Sequence, residues 1–110
     1  MGLGTDSVMS VGTLDLLAEA RAARALAGLD AARALALCTR DAARALGLER
    51  EVGVLVPGRW GDCVVIRPRA TPNVSRTDMS AEDRALASGP RDVLATFVGG
   101  RDVHRIGPPL

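Results

Sequence analysis

Near residue 50 the chain changes its vocabulary. Ahead of that point, from Thr13 to Leu46, Ala, Leu, Arg and Asp dominate, and the first three are strong helix formers. Behind it come runs of Val, Ile and Leu interrupted by Pro and Gly, which suit strands joined by tight turns. The switch from one texture to the other predicts an α+β chain with its helices first and its sheet last.

In "TLDLLAEARAARALA", Thr13 to Ala27, the residues Leu14, Leu17, Ala20 and Leu26 recur at roughly helical spacing. An amphipathic helix is expected there, with Arg21 and Arg24 turned to water. Gly28 ends it, and Asp30 is placed to cap a second helix through Cys38, with Leu35 and Cys38 on one face and Leu37 beside them. A third helix covers Arg40 to Leu46 and stops at Gly47.

Pro57 and Gly58 then mark a turn, and "DCVVIRP" reads as a buried strand from about Asp62 to Arg67. Residues 68–90 carry Pro, Ser, Thr, Asn and charges, the composition of a long mobile connection, with one short helix where Ser80 caps "AEDRALA". Beyond it, "DVLATFV" and "RDVHRI" are separated by Gly99 and Gly100, a two-residue spacing that fits a hairpin whose turn needs positive φ. All three apolar runs need a partner, so the strand at 62–67 is expected in one sheet with the hairpin at 93–104.

Several function classes are excluded at this stage. A chain of 110 residues, 47% hydrophobic, supports one small core and no large enzyme fold. Its 14 basic and 13 acidic residues nearly cancel, and the arginines are interleaved with Ala, Asp and Glu rather than clustered. With no Tyr, and only Phe97 and Trp60 as aromatic platforms, there is no nucleic-acid footprint. Cys38 and Cys63 each sit in an apolar pattern and are expected as buried free thiols, which fits a reducing, cytoplasmic setting. No run approaches the roughly 18 apolar residues of a membrane helix, and no signal core is present, so no membrane partner is expected.

One short stretch carries chemistry. In "GLGTDS", Gly2 to Ser7, Asp6 stands between Thr5 and Ser7 after a short glycine-rich run. From the residues alone it is either the cap of the next helix or a carboxylate held at a strand end for metal chemistry, and both stay open. Thr5 and Ser7 read as local backbone partners. His104, the single histidine, lies in the final hairpin and reads as a surface imidazole, while Asp62 reads as a structural residue that organises the turn after Pro57 and Gly58.

Taken in order, "GTDS", an Ala and Leu helix, "ALALCTRDAARALGLEREVGVLVPGRWGDCVVI" and "DVLATFVGGRDV" resemble the C-terminal third of the amidohydrolase superfamily, in its deaminase and chlorohydrolase-like branch. The sharpest element runs from Ala42 to Ile66. The resemblance implies a metal-dependent hydrolase on a distorted (β/α)₈ barrel with a small composite β-sandwich. Residues 1–49 would be the end of the barrel, its last strand plus helices, and 50–110 the C-terminal part of the sandwich, with a loop at 68–90. It also implies that Asp6 is the family's catalytic carboxylate and metal ligand, at the C-terminal end of a barrel strand. A divalent ion, zinc or iron, lowers the pKa of bound water from about 16 to near 7, and a carboxylate beside it takes the proton and delivers it to a leaving amine. The substrate class implied is a small aminated heterocycle.

The chain also departs from that pattern. Trp60 and Gly61 replace the usual basic and alanine pair, the His-x-His pair and further histidines are missing, and a barrel takes about 250 residues. Expected, therefore, is a C-terminal piece beginning at Met1 inside a barrel strand, whether a truncated reading frame, a split gene or an excerpt. Alone it should be inactive and bind no metal stably, and its helix faces at Leu14, Leu17, Leu35 and Leu37 should drive self-association or pairing with an upstream barrel segment. The alternative is a non-catalytic α+β module that at most binds another protein.

Overall fold

The computed structural model describes residues 1–4, 15–67 and 79–106. Helix α1 spans Leu16–Ala27, and Asp15 starts it by accepting the backbone N–H groups of Leu17 (3.1 Å) and Ala18 (3.3 Å). Gly28 stops it in the left-handed region at φ 66°, where a side chain would be strained. Helix α2 spans Ala31–Cys38, and Asp30 caps it by accepting from the N–H of Arg33 at 2.7 Å. Only Thr39 separates it from α3, Arg40–Ala45, which ends before Gly47 at φ 75°. Helix α4, Ala81–Leu86, begins with a reciprocal capping box between Ser80 and Asp83. The helix starts and stops expected from Asp30, Gly28, Gly47 and Ser80 are all present.

Ala20, Ala31, Ala34 and Leu86 form the buried centre of the helical layer, with Leu3, Leu35 and Cys38 packed against it. Alanines at these contacts let α1, α2 and α4 approach closely, so a six-residue helix late in the sequence completes a core begun by the first two. No helix among the described residues is long and apolar enough to cross a membrane.

Two expectations for α1 are corrected. Leu26 is 90% exposed, because it lies about 120° around the helix from buried Ala20, outside the packed stripe. Arg21 and Arg24 do not simply face water. Arg21 Nη1 donates to the carbonyls of Leu86 (2.7 Å) and Ser88 (3.1 Å), and Arg24 Nη1 meets Asp83 Oδ1 at 3.0 Å. Arg24 lies one turn beyond Ala20, about 40° away around the axis, so its stem faces α4.

Among the described residues the sheet has three antiparallel strands in the order β1 (Cys63–Ile66), β2 (Val93–Val98), β3 (Arg101–Arg105), which places the strand and the hairpin together as expected. Cys63 faces Phe97 and Val65 faces Ala95, while Thr96 faces His104 and Val98 faces Arg101. Gly99 (φ 61°) and Gly100 (φ 78°) form the two-residue turn, both in the left-handed region that such a turn demands. The expected turn at Pro57 and Gly58 is also present, with the N–H of Arg59 donating to Val56 O at 3.2 Å and Gly58 at φ 91°.

The strand at 63–66 is not buried as its apolar run suggested. Val64 is 53% exposed and its neighbours half-buried, because an open groove separates β1 from α2 and α3. Asp62 is structural, yet its work lies elsewhere than expected. Its Oδ1 accepts the N–H of Gly99 at 2.7 Å and so holds the hairpin turn rather than the turn at Pro57. Beside it, the N–H of Gly100 donates to Gly61 O at 2.9 Å, and a Cβ on Gly61 would lie 3.0 Å from Gly100 Cα, a contact only glycine permits at ease. Trp60 covers Gly99, where an added Cβ would sit 3.2 Å from the indole ring.

Candidate functional site

Asp6, the expected metal and catalytic carboxylate, lies outside the described residues, as do Thr5 and Ser7. The residues leading to it are described and firmly seated. The N–H of Leu3 donates to Leu37 O at 3.0 Å, and the Leu3 side chain packs against the cluster of Ala20, Ala31, Ala34 and Leu86. Gly2 passes so close to α3 that a Cβ would stand 2.8 Å from Ala42 Cα, so this position excludes every other residue without movement of the backbone. "GLG" is therefore not a loose leader to Asp6: its backbone is bonded to α2 and pressed against α3.

The described residues do not themselves fit a metal. No group of three or more His, Cys, Asp or Glu among them is arranged to hold an ion. His104 is exposed on β3 opposite Thr96, in keeping with the surface imidazole expected from the sequence.

What the described residues do build is an apolar groove of about 620 Å³ between the helical layer and the sheet. Cys38 and Ala42 line one wall, Leu46 and Leu55 the rim, and Cys63 and Phe97 the other wall. Both cysteines are free and half-buried rather than fully buried, because each opens towards this space. Burial pushes the Cys38 thiol above its ordinary pKa, which keeps it neutral and dulls it as a nucleophile. The lining is mostly alkyl, and the Asp62 carboxylate at its edge already accepts the N–H of Gly99, so the groove suits packing rather than catalysis.

The apolar surface also differs from the one expected. Leu17, Leu35 and Leu37 are half-buried, and Leu14 lies outside the described residues. Along the groove, the most exposed large side chains are Leu46 (74%), Leu55 (70%), Val64 (53%) and Val98 (50%), while Leu26, Trp60 and Val103 are exposed away from it. Three hydrogen bonds, two made by Arg21 and one by Asp62, escaped sequence reasoning altogether, since their partners lie at least 37 residues away and no local pattern announces them. The bond between Ser80 and Asp83 had a legible signal in the spacing of a capping box.

Comparison with known proteins adds what the local geometry lacks. Residues 1–103 match the model of the amidohydrolase family. A 5-methylthioadenosine/S-adenosylhomocysteine deaminase of Moorella thermoacetica is 34% identical over 109 residues, covering 92% of this chain and 25% of that protein. A protein of the same name from Symbiobacterium thermophilum is 36% identical over 116 residues, covering 94% and 26%. Among solved structures, E. coli guanine deaminase superposes with a TM-score of 0.76 at 32% identity, over 96% of this chain and 27% of that one. The chain thus spans about a quarter of the relatives it matches. The helices, the groove, β1, β2 and the start of β3 fall within the matched residues, and the chain belongs to the amidohydrolase family.

Proposed function

We propose that this chain is the C-terminal portion of a metal-dependent hydrolase that acts on carbon-nitrogen bonds other than peptide bonds, and that the complete enzyme deaminates a heterocyclic amine. The observation that carries this is the match of residues 1–103 to the family, together with three similar proteins all named as deaminases. On this reading residues 1–49 are the end of the barrel, with Asp6 at the close of its last strand, and 50–110 belong to the composite β-sandwich. The divalent ion, zinc or iron, is held in the complete enzyme by groups outside this chain together with Asp6. The chain alone is inactive.

The chain's own part is mechanical as well as chemical. The bond from Leu3 to Leu37 and the contact of Gly2 with Ala42 fix the backbone two residues before Thr5, and a carboxylate that must meet a reacting group needs such a rigid base. The test restores the remaining three quarters of the enzyme by fusion or co-expression with the upstream sequence. Asp6→Asn should then lower deamination of aminated heterocycles by about 10² to 10⁴ and reduce bound metal, while His104→Ala should leave turnover nearly unchanged. Full activity in a folded, metal-loaded Asp6→Asn protein would sink the assignment of Asp6. A restored enzyme inactive on every amine offered would sink the deaminase reading.

A further inference from the structure

We draw no further inference here: the strongest candidate, the apolar groove between α2, α3 and the β1–β2 face with Leu46, Leu55, Val64 and Val98 exposed along it, carries nothing more because nothing in the structure shows what covers it.

Discussion

Asp62 joins two parts of the sheet that the sequence keeps 37 residues apart, and one hydrogen bond to the N–H of Gly99 is its means. Asp62→Ala leaves that turn donor to water and should cost about 1 kcal/mol, read as a lower urea midpoint. Asp62→Asn keeps an acceptor and should recover most of the loss; equal losses in both variants would mean that charge, not the bond, matters. Cys38 offers a second check on a single side chain. Its neutral thiol, held above the ordinary pKa by burial, should react with iodoacetamide more slowly than a free cysteine at mildly alkaline pH. A rate equal to that of the free amino acid would mean that burial does not hold the Cys38 thiol in its neutral form.

Helix α4 is too short to stand alone and owes its place to its two ends and one face. Ser80 caps its start, Leu86 is buried at 2% exposure, and Arg21 and Arg24 reach it from α1. Hydrogen bonds from the Ser80 hydroxyl and its backbone N–H, then the Arg24 guanidinium, hold the Asp83 carboxyl below the usual range. Because the folded-state pKa is the lower one, the stabilisation is present in full above the ordinary value of 3.8 and is lost as pH falls through the folded-state value. The urea midpoint of the native protein should therefore fall more steeply under acid than that of Asp83→Asn; parallel curves would remove Asp83 from the account. The elements themselves were legible, since caps such as Asp30 and Ser80, the stop at Gly28 and the Gly99–Gly100 turn are local chemistry. Which faces they bury was not. Arg21 and Arg24 read as solvent-facing in the sequence, and only the arrival of α4 from residue 81 gives both of them partners.

At the scale of the whole molecule, the apolar surface along the groove is the feature with consequences among the described residues. Leu46, Leu55, Val64 and Val98 are each at least half exposed around a groove of about 620 Å³, an arrangement that monomers rarely leave open to water. The isolated chain should self-associate as its concentration rises, with a weight-average mass in sedimentation above 11.4 kDa. Replacing Leu46 and Leu55 together by Lys should shift it towards monomer; a sharp monomer boundary in the native protein would instead favour a free-standing module. The same scale explains how far the site could be read. Asp6 was singled out because its surroundings match a family, not because its neighbours in the chain compose a site, and the described residues form no cluster of three or more metal-binding side chains. The contact of Trp60 with Gly99 has a spectroscopic consequence. It is the chain's one tryptophan and sits where the connection from the helices is clasped to the hairpin, so indole emission reports on that clasp alone. Far-ultraviolet dichroism, dominated by the helices, reports on the other layer. A denaturation followed by both probes at once would reveal whether the two halves of this chain melt as one cooperative body or part company first at the tryptophan.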